Sequence, residues 1–325
     1  MKNILRFLFI PILAIQISPL HAQDSLSALL KRASSLREGG ESRKSIALLQ
    51  PALQNSGEEA SSVELGKAWN LLGASYQDAG LFRDAARCHE RAIQILREDS
   101  NGKAELASAL DNLGSVENWI GTPQVSRALR MSAYRIYGEL GDQVGQARTA
   151  NNLAVIAIHG GDFRTAKRYA KTAQEIAKGS PAIDGDDLAA LESVAGTIAL
   201  HDGQTERAIE HLSRAINSWT QKHGRQHFLV GLGYSLRAQA FAARDEGTQA
   251  LSDIEEALRI EADVVGRGSA IYWQTQTVHA SLLRDFGDLN EASHIEKESD
   301  AVMARIKQDQ CNQCTTTATG FHPLP

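Results

Sequence analysis

Small side chains recur in three fixed columns along this chain, and no other feature restricts its fold as tightly. With the segments registered on Gly66–Glu98 (GKAWNLLGASYQDAGLFRDAARCHERAIQILRE), units start at Leu26, Gly66, Ala107, Ala147, Ala189, Gly231 and Trp273, 40 to 42 residues apart. The eighth position of each unit holds Ala33, Gly73, Gly114, Ala154, Gly196, Ala238 and Ala280, and the twentieth holds Ser45, Ala85, Ser126, Ala166, Ala208, Ala250 and Ala292. The twenty-seventh carries Ala52, Ala92, Ala133, Ala173, Ala215, Ala257 and Ser299. All are Gly, Ala or Ser, because a larger side chain at a close helix crossing would hold the two helices apart. Within the unit, Trp69, Leu72, Gly73 and Tyr76 fall at helical spacing. Past a break near Gly80, Leu81, Phe82, Ala85, Ala92, Ile93 and Leu96 resume the 3.6-residue period, with Arg83, Asp84, Arg87 and Glu90 on the other side. Each unit therefore reads as two antiparallel helices joined by a tight turn. Such a hairpin cannot bury its apolar face alone and needs copies of itself on either side.

The turn column is Gly40, Gly80, Gly121, Gly161, Gly203 and Gly287, with Asp245 in the sixth unit. The set Trp69, Leu72, Gly73, Tyr76, Ala85 and Ala92 resembles the signature of the tetratricopeptide repeat (TPR), and the long period resembles the repeats of kinesin light chains. The resemblance spans roughly residues 24 to 305. It implies an all-α, right-handed superhelical solenoid of about seven helix-turn-helix repeats. Departures are local: Glu117 and Ala157 stand where the aromatic is usual, His89 replaces an apolar residue, and Arg237 and His279 occupy a normally apolar position. Pro123 suits the first turn of a second helix with Thr122 as its cap, whereas Pro51 inside a second helix predicts a kink or an early end.

At 325 residues and 42% hydrophobic, the chain can bury a large core. Lys2 and Arg6 precede an apolar run from Phe7 to Ile15, followed by Pro19 and Ala22. That is the pattern of a secretory signal peptide over residues 1–22, and the run is shorter than the roughly 20 apolar residues needed to span a bilayer. Its removal leaves 32 basic against 39 acidic residues, a formal net charge of −7, which disfavours nucleic acid as a partner. The solenoid is expected over 23–308 and a disordered tail over 309–325. Export implies a periplasmic or secreted location.

The chain shows no GxSxG, GxxxxGK or HExxH motif, so no catalytic residue, cofactor or metal is expected. Cys311 and Cys314 form a CxxC in the tail without the second cysteine pair or strand-helix context that zinc or redox chemistry requires. Cys88 reads as a small half-buried hydrophobe, and His223 and His227 share a helical spacing without a third ligand.

What remains is the first helix of each unit, whose second, fifth, ninth and twelfth positions a TPR stack turns toward its concave face. In the second to fourth units these include Lys67, Asn70, Asp111, Asn118, Arg148 and Asn151; His159 and His201 match one another in successive units nearby. A basic residue and Asn three apart form a donor cluster suited to a carboxylate or an extended peptide backbone. The expected function is a scaffold that binds a protein or peptide partner in this groove. The alternatives are a redox or enzyme-accessory protein using the CxxC tail, or a small-ligand sensor with a pocket lined by Trp119, His159 and His201.

Overall fold

A computed structural model of the chain describes residues 25–54, 60–119 and 122–312. The proposed signal segment, Gly121 and Cys314 lie outside the described residues. Among the described residues, fourteen α-helices follow one another in pairs: α1 (Leu26–Glu38) with α2 (Ser42–Gln54), α3 (Ser62–Asp78) with α4 (Phe82–Leu96), and α5 (Lys103–Trp119) with α6 (Pro123–Leu140). Then come α7 (Gln143–His159) with α8 (Phe163–Gly179), α9 (Gly185–His201) with α10 (Thr205–His223), α11 (Phe228–Ala242) with α12 (Gly247–Val264), and α13 (Ala270–Phe286) with α14 (Leu289–Asn312). Each helix packs on its neighbours in sequence. Odd-numbered helices also touch the next odd-numbered helix, and even-numbered helices make no comparable contact with one another. The stack is therefore an all-α solenoid with the odd helices on its inner wall and the even helices outside.

The small columns explain this packing. Every column residue is buried except Ala52, which lies beside Pro51, where the hydrogen-bond ladder of α2 is interrupted. A Cβ added at Gly73 would lie 2.7 Å from the His89 ring, and one at Gly196 would lie 2.7 Å from Cγ of Leu212. The eighth position of each unit thus receives the side chain four residues beyond the twentieth, and it can receive it only if small. At the turn, Gly80 has φ 76° and Asp245 has φ 63°, so the exceptional residue adopts the same left-handed conformation as the glycines. Gly287 departs from its column with φ −135°. Thr122 does not cap α6. Its hydroxyl donates instead to the carbonyl of Glu117 at 3.0 Å. Arg237, at a normally apolar position, is accommodated by pairing with Asp253 at 2.7 Å on α12 and donating to Ser213 at 3.0 Å. Helix α14 continues past Gln308 to Asn312 and carries Cys311 on its last turn.

Two successive junctions between repeats share one buried polar pattern. In the first, Oδ1 of Asn70 on α3 accepts from Nδ2 of Asn112 on α5 at 3.1 Å and lies 2.8 Å from Nδ1 of His89 on α4. An amide oxygen only accepts, so His89 carries its proton on Nδ1 there. In the second, Asp111 on α5 accepts from Nδ2 of Asn152 on α7 at 3.1 Å and pairs with Arg130 on α6 at 3.3 Å; Arg130 also donates to the Asn152 carbonyl at 3.1 Å. The three members occupy equivalent repeat positions in both cases. His89 is fully buried, and burial, with the Arg37 charge adding to it, pushes its pKa down to about 3.

Two predictions follow from this packing. Ala173→Leu should destabilise by about 1 to 3 kcal/mol through overpacking at a helix crossing, whereas exposed Lys171→Ala should change stability by no more than about 0.5 kcal/mol. Equal costs in urea melts would show the columns misplaced. His89 has a depressed folded-state pKa, so its contribution to stability is complete above the unfolded value near 6.5 and is lost as pH falls toward 3, by up to about 1.4 kcal/mol per unit. His89→Leu, which installs the residue found at the equivalent Leu49 and Leu212, should flatten that acid slope in urea melts between pH 4.5 and 7. An unchanged slope would assign the acid sensitivity elsewhere.

Candidate functional site

The inner wall is laced by side chains that link each first helix to the next. Lys67 of α3 pairs with Glu105 of α5 at 2.9 Å, and Arg148 of α7 holds Asp187 of α9 through two bonds of 2.8 and 3.0 Å. Glu105 and Asp187 both stand two residues ahead of a repeat start, so the two pairs are copies of one cross-link. Asn70 donates to Ser108 at 3.1 Å and Gln77 to Ser115 at 3.3 Å across the α3–α5 boundary. The donor cluster expected of Lys67, Asn70 and Arg148 is therefore not free to take a carboxylate or a peptide backbone. Their donors are engaged by the neighbouring repeat, although the Lys67 and Arg148 side chains remain about half exposed.

Asp111 is buried in the second polar junction, and Asn118 is half-buried on α5. His159 and His201 are exposed at the last residues of α7 and α9, at the turn edge of the stack, where His201 stacks on Phe163 with ring centroids 3.4 Å apart. The structure thus brings Lys67, Asn70, Asp111, Asn118, Arg148 and Asn151 onto three adjacent inner helices and places the two histidines at their rim.

Asn151 is the exception among these engaged groups. It is 5% exposed, and its Oδ1 has no hydrogen-bond partner. Its counterparts Asn70 and Asp111 each receive two donors, from the second helix of their own repeat and the first helix of the next. Around Asn151 those two positions carry Ala170 and Val194, which have nothing to donate. A buried amide oxygen without a donor costs about 1 to 3 kcal/mol. Beyond it the wall becomes more apolar, with half-buried Val155, Ile158, Leu200 and Leu232. Hydroxyls there turn back to their own helix, as Ser193 does to the Ala190 carbonyl at 3.1 Å and Thr197 to that of Ser193 at 2.9 Å.

The stack also curls back on itself. A cavity of about 720 Å³ lies between Glu41, Ser42, Arg43, Asp78 and Phe82 at the turns of the first two repeats and Val264, Val265, Ser269 and Ile271 in the α12–α13 linker. Its lining does not include His159 or His201, so it is not the pocket the small-ligand reading required; the Trp119 side chain lies outside the described residues. Cys88 is 5% exposed, with burial pushing its thiol up to about 12, which makes it unreactive. The partners Glu105, Asp187, Asn112 and Asn152 escaped sequence reasoning. Their signal was recurrence at matching positions of adjacent units, outside the four positions expected to face the groove.

No family model matches the chain. The human SH3 domain and tetratricopeptide repeat-containing protein 2 is 30% identical over 120 residues, covering 36% of this chain, which spans 9% of that protein's length. Among solved structures, the Rap conjugation gene regulator of plasmid pLS20 in complex with the Phr* peptide superposes with a TM-score of 0.67 at 13% identity, covering 91% of this chain and 77% of that one. The APC/C hetero-tetramer Cut9-Hcn1 gives 0.62 at 14%, covering 90% of this chain and 49% of that one. A tetratricopeptide repeat protein from Parabacteroides merdae gives 0.51 at 10%, covering 88% and 96%. With its repeat columns, its paired helices and these likenesses together, the chain folds as a tetratricopeptide-repeat solenoid.

Proposed function

We propose that this chain is an exported, non-catalytic scaffold that takes an extended segment of a protein or peptide partner along its inner wall. The observation that carries this reading is Asn151. Its Oδ1 is an unpartnered acceptor just beneath the wall of a groove, at a position where the preceding repeats supply donors and this one supplies none, and a turn of the side chain would present it to a partner. An extended backbone offers N–H groups along its length, and the half-buried Val155, Ile158 and Leu200 beside Asn151 would receive apolar side chains. Arg148 adds a charge that an acidic partner group would share with Asp187. The pLS20 regulator, of like fold, holds a peptide.

Export rests on the sequence of residues 1–22, and no helix among the described residues is long and apolar enough to cross a membrane. The acidic balance of the chain argues against nucleic acid as the partner.

The test is titration of a partner recovered from the exported fraction against wild type and three variants. Asn151→Ala should weaken binding by about 1 to 1.5 kcal/mol. Arg148→Ala should weaken it by a similar amount that shrinks at high salt, and should cost at most about 1 kcal/mol of stability as the loss of an exposed ion pair. Arg87→Ala, on the outer helix α4, should bind as wild type does. Equal affinities for all four would remove the inner wall as the binding surface.

A further inference from the structure

The thirty-first position of the repeat packs where a second helix meets its neighbours. It carries Leu96, Tyr137 and Trp219 in the second, third and fifth repeats and Glu261 in the sixth. Glu261, on α12, is 1% exposed, with Cγ only 3.3 Å from where a Cβ on Gly231 of α11 would sit. Its Oε1 accepts from the Thr275 hydroxyl of α13 at 3.1 Å, and its Oε2 is buried without a partner.

The charged groups around it are committed elsewhere. On α11, Arg237 pairs with Asp253 two turns before Glu261 and covers the Tyr234 ring. On α12 itself, Arg259 is held by Glu256. On α13, the Tyr272 hydroxyl accepts from Gln276, Arg284 pairs with Glu296 of α14, and burial lowers the His279 pKa against the Glu291 and Glu255 charges. Neither these nor Glu298, Asp300 and Arg305 of α14 act on the Glu261 titration, which burial dominates. An ionised carboxylate here would have one hydroxyl donor and no counter-charge.

We propose that Glu261 is a protonation latch between the sixth and seventh repeats: neutral, it lets α13 and α14 stay docked, and ionised, it makes them open locally. Among the described residues the seventh repeat packs on the sixth alone, so it can open without unfolding the rest. Burial raises the docked carboxyl to about 7, against 4.5 when exposed, with the Thr275 bond acting in the opposite direction. Between those values the open state is ionised and the docked state is not. Opening therefore gains up to tenfold per pH unit from about 4.5 to 7 and levels off above.

Hydrogen exchange of the full chain, corrected for intrinsic rates, tests this. From pH 5 to 7.5 the opening equilibrium of α13 and α14 amides should rise on the order of 50-fold in wild type. It should stay flat in Glu261→Gln and Glu261→Met, the latter matching Met303 at the equivalent position. Amides of α3 to α6 should not follow the rise. A flat wild-type profile, a rise shared with α3 to α6, or the same rise in both variants would each overturn the latch. Should neither variant fold, the regional wild-type profile decides alone.

Discussion

Close approach of helices at three small positions per repeat is the constraint on which the rest of this molecule depends. Each repeat buries little by itself, so its stability resides in interfaces with its neighbours, and those interfaces exist only if the helix axes come near enough for side chains to interlock. Gly73, Gly114 and Gly196 are the extreme cases, since an added Cβ would run into His89, Arg130 and Leu212. The side chain pressed against each glycine is free to vary in kind so long as the glycine stays small. That freedom lets His89 and Arg130 enter an interior position occupied elsewhere by Leu49, Leu212 and Ile254.

The fold was legible because helix periodicity and small columns are local or strictly periodic signals. Leu26 opens α1, and the starts from Gly66 to Trp273 lie three or four residues inside α3 to α13, so each unit is matched by one helix pair. The site was legible only in outline. Sequence spacing placed Lys67, Asn70, Arg148 and Asn151 on inner helices, but it could not show that Glu105 and Asp187 lie across from two of them. Those contacts span some forty residues and depend on how far each repeat rotates relative to the last. Equally, a list of donors on one helical face does not reveal which are already satisfied. Thr122 shows the same limit at shorter range: its hydroxyl donates to the Glu117 carbonyl and makes no cap bond to α6.

Polar groups on the inner wall thus serve two purposes that the sequence does not distinguish. Where position five is Asn70 or Asp111, donors from two sides convert it into a structural tie that sets the angle between repeats. Where it is Asn151, the same residue type in the same register meets Ala170 and Val194, and its acceptor is buried without a donor. On the proposed reading, recognition would arise from an interruption of a structural pattern, and the interruption falls at the boundary between the laced, polar half of the wall and its apolar half. A ligand spanning that boundary would meet hydrogen-bonding groups on one side and aliphatic surface on the other.

Two buried ionisable groups place opposite pH limits on the two ends of the stack. His89 ties the second and third repeats as a neutral imidazole and becomes costly when protonated, so acid weakens that junction. Glu261 sits at the sixth and seventh as a neutral carboxyl and becomes costly when ionised, so that junction weakens toward neutrality. Because repeats contact only near neighbours, the two effects do not cancel within one global equilibrium; they act on separate interfaces. The cavity at the α12–α13 linker borders the first two repeats as well. Opening of the seventh repeat would therefore reshape this cavity between the two ends of the curl.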